Sequence, residues 1–101
     1  MIVYNITVNV DWAIAAPWLQ WFTEEQAPEI VATGCFSKYH VLQLLQVDEA
    51  DGPTYALQFY ANRIEDYENY ITHFAPHFQQ KASYRWGDGF MAFQTLMSVV
   101  V

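Results

Sequence analysis

Basic residues are scarce in this chain of 101: four Lys and Arg stand against 11 Asp and Glu, for a formal net charge of −7. Nucleic-acid affinity comes mainly from neutralising phosphates, and four cations cannot build the basic stripe it requires. Anionic membrane surfaces are disfavoured on the same ground. Cysteine is nearly missing as well. Cys35 is the only one, which excludes an intrachain disulfide and a cysteine-built zinc site. No apolar run approaches the roughly 20 residues that span a bilayer. The opening Met1-Ile2-Val3-Tyr4-Asn5 has no cationic n-region and reads as a strand, not a signal peptide. Together these absences point to a cytoplasmic protein. Glycine and proline number only four each. With no repeat, low-complexity stretch or linker, one domain over 1–101 is expected.

What the chain has in excess is apolar surface. Hydrophobic residues make up 53% and aromatics 18%, while charged residues reach only 15%, against about 25% in an average domain. A domain this small has proportionally more surface than a large one, so the surplus does not all fit inside one copy. A pocket or a partner surface must take it. Self-association is expected.

The first strand is plain: Ile2, Tyr4, Ile6, Val8 and Val10 alternate with Asn5, Thr7 and Asn9, one apolar and one polar face at period two. A helix follows from Pro17, with Trp18, Phe22, Gln26 and Ile30 four apart along one stripe. Pro28 lies within it and predicts a kink or break. Thr33-Gly34 ends the helix, with Gly34 a natural residue just past its end. A second strand is expected from Cys35 to Val47, then a polar turn containing Asp51-Gly52, then a third strand from Thr54 to Ala61. The pair reads as an antiparallel hairpin. The second helical region opens with Asn62-Arg63-Ile64-Glu65, which has the spacing of a capping box. Pro76 predicts an end to that helix and the opening of another turn, which carries Phe78, Ala82 and Trp86, and Gly87-Asp88-Gly89 breaks the chain.

The last strand, Phe90 to Val101, is apolar on both sides. Phe90, Ala92, Leu96 and Val100 share one face, and Met91, Phe93, Met97 and Val99 the other. One layer of helices covers one face of a sheet, so the second face needs separate cover. A homodimer packed through the sheet face and strand 90–101 would supply it. The order β-α-β-β-α-β, with right-handed crossovers, gives an α+β fold of the ferredoxin-like kind: a four-stranded antiparallel sheet with its helices on one face.

Four segments carry a family resemblance: Tyr4 to Asp11, Pro28 to Phe36, Glu65 to Glu68, and Ala92 to Leu96. Across nearly the whole chain they resemble a small bacterial family known only as a domain of unknown function, and the proline-to-phenylalanine block is the most specific. The resemblance implies kinship with the dimeric α+β barrels, a group that includes antibiotic-biosynthesis-type monooxygenases, haem-degrading enzymes and muconolactone isomerases. It also implies a histidine shortly before each helix proline. The matching positions here hold Gln26 and Phe74, so no catalytic residue carries over.

The residues themselves suggest few chemical constellations. His73 and His77 are four apart, but Pro76 lies between them and no third ligand is evident, so they read as surface or capping groups. Cys35 has no neighbouring cation to activate it and reads as an inert thiol. The acidic run Asp48, Glu49 and Asp51 lacks calcium-loop spacing. Asn5, Thr7 and Asn9 line one sheet face, which is either a hydrated interior of a closed dimer or plain solvent-facing surface. Gln26 is more informative, because a polar group on an apolar stripe needs a partner. It is either a satisfied core residue or the edge of a ligand cavity. Trp18, Phe22 and Tyr55 are candidate walls for such a cavity, and His40 a candidate base or a structural histidine. Phosphate loops, nucleophile elbows and haem-attachment motifs are all missing, and no metal or cofactor is expected.

Two readings of function follow. One is a non-catalytic dimeric domain that binds a small apolar ligand or a protein partner. The other, drawn from fold kinship, is a cofactor-light enzyme of the antibiotic-biosynthesis-monooxygenase kind acting on a small aromatic or polyketide-like substrate. In that case Gln26, His40 and Tyr55 orient the substrate and converge on one point.

Overall fold

The computed structural model describes residues 1–101. Strand β1 (Ile2–Val10) runs through the middle of a four-stranded sheet. Helix α1 (Ala15–Trp21) passes without interruption into a π-helical turn (Phe22–Gln26) and then into α2 (Ala27–Ala32). Strands β2 (Lys38–Gln43) and β3 (Thr54–Ala61) form the hairpin, α3 (Ile64–His73) and α4 (Ala75–Trp86) follow, and β4 (Phe90–Ser98) closes the chain. The sheet order is β2-β3-β1-β4, and every neighbouring pair is antiparallel. This is the ferredoxin-like β-α-β-β-α-β arrangement, with helices against one face.

The strand registers divide the residues cleanly between the faces. Tyr4 lies opposite Phe59 and Leu96, and Val8 opposite Tyr55 and Ala92, so these side chains share the helix side. Asn5 lies opposite Gln58 and Thr95, and His40 opposite Gln58, so these share the outer side. The core sits under the helices. Val8, Val10 and Phe59 are its largest fully buried side chains, and Trp18, Phe22, Ile30 and Phe78 close over them.

Proline positions fit the local backbone. Pro17 occupies the first turn of α1 and Pro76 the first turn of α4, where amide donors have no intrahelical partner to lose, whereas Pro28 lies at the start of α2, directly after the π turn. Helix α1 therefore begins two residues before Pro17. The expected disturbance around Pro28 takes the form of the π turn immediately before it, where the amide of Ala27 donates to the carbonyl of Phe22, five residues back.

Several boundaries differ from expectation. Strand β2 is Lys38–Gln43, not 35–47. At its start, Cys35 and Phe36 turn into the core as irregular chain. At its end, Gln46 adopts a left-handed conformation (φ 57°) that stops the pairing. The capping box at Asn62 does not form. Arg63 is the N-cap, in extended conformation and with no side-chain cap, and its guanidinium instead reaches Asp66 at 3.4 Å. Strand β4 stops at Ser98, after which the amide of Val99 still donates to the carbonyl of Met1. The helices leave β4 uncovered. Ala92 and Leu96, on the helix side, are exposed, and so are Met91, Phe93 and Met97 on the outer side.

Candidate functional site

The helix layer stops short of the β4 edge, and a cavity of about 240 Å³ opens between it and the sheet. Its floor comes from Tyr4, Ile6, Val8 and Leu57, with Phe90, Ala92 and Gln94 on the β4 side. Its walls are Trp18, Trp21 and Phe22 from α1 and the π turn, Tyr70 from α3, and Phe78 from α4. The aromatic walls are pre-ordered by mutual contact. Trp18 stacks on Phe22 (5.3 Å between centroids) and on Tyr55 (5.9 Å), while Tyr70 stacks on Phe78 (6.2 Å).

Gln26, the last residue of the π turn, is the buried polar residue of the lining, only 4% exposed, beside the less buried Gln79, Ser83 and Gln94. Its amide nitrogen donates to the carbonyl of Phe78 at 3.1 Å, which ties the π turn to α4. Its amide oxygen has no partner. Because Phe78 supplies an acceptor, the nitrogen must face it, and the oxygen is left over. The indole nitrogen of Trp18, also buried, lacks an acceptor. Unsatisfied buried polar atoms cost on the order of 1–3 kcal/mol each, so two at one cavity mark a site where something else completes them.

Tyr4 and Tyr70 complete the electrostatic picture. Burial, with Tyr67 nearby, pushes the Tyr4 phenol up to about 12. Burial likewise raises Tyr70, with Tyr4 and Cys35 adding to the effect. Both hydroxyls are neutral near pH 7, and neither serves as a general base there. Tyr55 is raised chiefly by burial and secondarily by Glu49.

Of the residues singled out from sequence, Trp18, Phe22 and Gln26 line the cavity. Tyr55 lies just behind, stacked on Trp18. His40 does not join them, because strand parity puts it on the outer face of the sheet. There its Nδ1 is hydrogen-bonded with the hydroxyl of Tyr60 at 3.3 Å, and that hydroxyl donates to Gln58 Oε1 at 3.1 Å. Sequence reasoning missed Tyr4, Tyr70 and Phe78. Tyr4 was legible as the helix-side member of β1, whereas Tyr70 and Phe78 depend on how α3 and α4 cross the sheet. His73 and His77 are both exposed, and no group of three or more His, Cys, Asp or Glu side chains gathers anywhere in the structure. No helix is long and apolar enough to cross a membrane.

Residues 1–100 match the family model for a domain of unknown function, DUF4286. The chain belongs to that family. Among solved structures, it is similar to a crystal structure of an arginine-to-serine mutant of MhuD with two manganese protoporphyrin IX molecules bound per active site. The two share 15% sequence identity over 100% of this chain and 96% of that one, with a TM-score of 0.67. At that identity the likeness bears on fold alone, and it agrees with the ferredoxin-like topology of this DUF4286 chain. No curated protein matches the sequence.

Proposed function

We propose that this DUF4286 chain is a small-ligand-binding domain whose ligand occupies the cavity between helices and sheet, and that it works as a homodimer closed through the outer sheet face. The observation carrying the ligand reading is the amide oxygen of Gln26, buried at the cavity wall and left without a donor. Such an atom is held in place by its sister nitrogen and lacks the donor that a ligand would supply.

The similar structure holds manganese protoporphyrin, which makes a tetrapyrrole the first candidate to test against the residues present. They do not fit it. The cavity, at about 240 Å³, is below the roughly 300–1,000 Å³ of pockets for drug-sized ligands. No histidine, cysteine or methionine lines it, and burial raises Tyr4 and Tyr70, which disfavours the phenolate that axial ligation by tyrosine needs. Catalysis by Gln26, His40 and Tyr55 together also loses its basis, since the sheet separates His40 from the cavity.

Support for the dimer comes from charge placement. All 11 carboxylates lie outside the four strands. The outer face therefore carries Met91, Phe93, Met97 and a polar row, with Lys38 as its only permanent charge. In a chain of −7, this is the face on which two copies meet without acidic repulsion. A single buried, unpaired cysteine fits a reducing compartment such as the cytoplasm.

Titration of a small-molecule panel against tryptophan fluorescence and melting temperature tests the ligand reading. Trp18 and Trp21 line the site, so a ligand is expected to give saturable quenching together with a raised melting temperature. A flat response across apolar, aromatic and polar compounds overturns it.

A further inference from the structure

We infer that the cavity ligand is an uncharged, planar aromatic molecule of one or two rings bearing a hydrogen-bond donor, the chemical class of a phenol. This rests on the reading of the cavity as a ligand site and narrows what can enter it. The first support is the lining itself. Of its 17 residues, none is Asp, Glu, Lys, Arg or His. A carboxylate, phosphate or ammonium placed there loses hydration and gains no counter-ion, and the uncharged polar side chains of the lining, Gln26, Gln79, Ser83 and Gln94, replace that only in part.

The second support is the directionality of Gln26. One of its two amide hydrogens is committed to Phe78 and its oxygen has no partner, so a ligand that donates completes it. The free indole N–H of Trp18 adds a capacity of opposite sign at the same cavity. A hydroxyl, which donates once and also accepts, has both complements.

Size and shape supply the rest. An apolar cavity of about 150 Å³ takes benzene, so about 240 Å³ suits one ring with a substituent or two fused rings. Walls of stacked Trp18, Phe22, Tyr70 and Phe78 favour a flat π surface over a branched aliphatic one.

Isothermal titration calorimetry of the full chain at neutral pH with phenol, toluene and benzoate separates the elements of the claim. Phenol and toluene are matched in size and differ in the donor, and benzoate, two heavy atoms larger, adds the charge. Phenol is expected to bind about tenfold more tightly than toluene, the worth of one buried hydrogen bond, and benzoate to bind more weakly than either. In Gln26→Leu, phenol should fall to the level of toluene while toluene is retained. The ordering in the unmodified protein is decisive even if that variant fails to fold, and Gln26→Met offers a second substitution of similar volume. Benzoate binding as well as phenol, or toluene matching phenol in the unmodified protein, overturns the ligand class while leaving the cavity a binding site. Heat from none of the three overturns the class and the site reading together.

Discussion

Single atoms decide several features of this chain, and Gly52 shows it most sharply. The loop before β3 is held against the end of β1 by backbone bonds from Val10 to Pro53 and from Trp12 to Asp51, and by the Asn9 side chain to the carbonyl of Gly52 at 3.0 Å. A Cβ at Gly52 would lie 1.7 Å from the carbonyl oxygen of Val10, a collision with backbone that no rotamer relieves. Gly52→Ala is therefore expected to cost at least about 2–4 kcal/mol. Gly34→Ala meets open space and bears only the strain of φ +85°, about 1–2 kcal/mol. Chemical denaturation of both variants checks the order, and an equal loss at the two sites contradicts the collision. Tyr4 makes a second residue-scale case. An exposed tyrosine loses its proton near pH 10, whereas Tyr4 in the fold holds it to about 12. Between those values the unfolded chain ionises and the folded one does not. The Tyr4 contribution is thus fully present below pH 10 and is lost as the pH rises towards 12, on the order of 2 kcal/mol. Tyr4→Phe should flatten part of the alkaline fall in melting temperature. A variant whose pH profile parallels the parent's places the loss elsewhere.

Within elements, the π turn is the feature that forms the site. Residues four apart in an α-helix drift by about 40° at each step. Trp18, Phe22, Gln26 and Ile30 in a regular helix would wander about 120° off the core-facing line by the last of them. One extra residue in the π turn (Phe22–Gln26) takes up about 100° of this drift, so Gln26 and Ile30 return beneath the same face as Trp18 and all are buried. Deletion of Glu24, which is exposed within the turn, should therefore restore α pairing with both flanking faces kept. The expected product folds, with unchanged far-ultraviolet circular dichroism and a melting temperature within a few degrees of the parent. Loss of folding shows that the turn is not an absorbed insertion. The drift was already present in the sequence as a run of four-residue spacings that never shortened to three, and that is the signal which marks the turn. The rest of the element order was equally legible, because period-two and helical patterns in β1, β3 and the helices are strong and the breaks at Gly34, Pro76 and Gly87 are sterically dictated. The placement of His40 was not read from its own strand. It follows from the hairpin partner: Leu57 and Phe59 face the helices, so Gln58 and its opposite neighbour His40 face away. Strand ends and the empty Asn62 cap were less legible, since short irregular segments such as Cys35-Phe36 are set by tertiary burial and not by local preference.

For the molecule as a whole, the decisive imbalance is between the covered and uncovered sides of the sheet. On the outer side, Met91 is 77% exposed and Phe93 62%, yet no acid stands among them. Across the middle of that face runs a polar row, His40–Gln58–Asn5–Thr95, aligned by strand register. Asn5 in this row is 7% exposed, and its amide oxygen has no partner even though its nitrogen donates to Thr7 at 3.0 Å. Four strands about 4.8 Å apart and six to nine residues long present roughly 500 Å² of face. Two copies face to face thus bury on the order of 1,000 Å², at the lower edge of specific interfaces. A second copy would cover the exposed Met and Phe side chains and bring donors to the orphaned oxygen of Asn5. Light scattering at micromolar concentration is then expected to give twice the chain mass. Phe93→Asp places an unpaired carboxylate in that contact from each copy and should convert the dimer to a monomer. Phe93 lies on the outer face, exposed and outside the core cluster, so the monomer should retain its fold and, if the cavity is built within one chain, its affinity for phenol. A parent protein that scatters as a monomer removes the dimer, and a dimeric Phe93→Asp moves the interface away from this face.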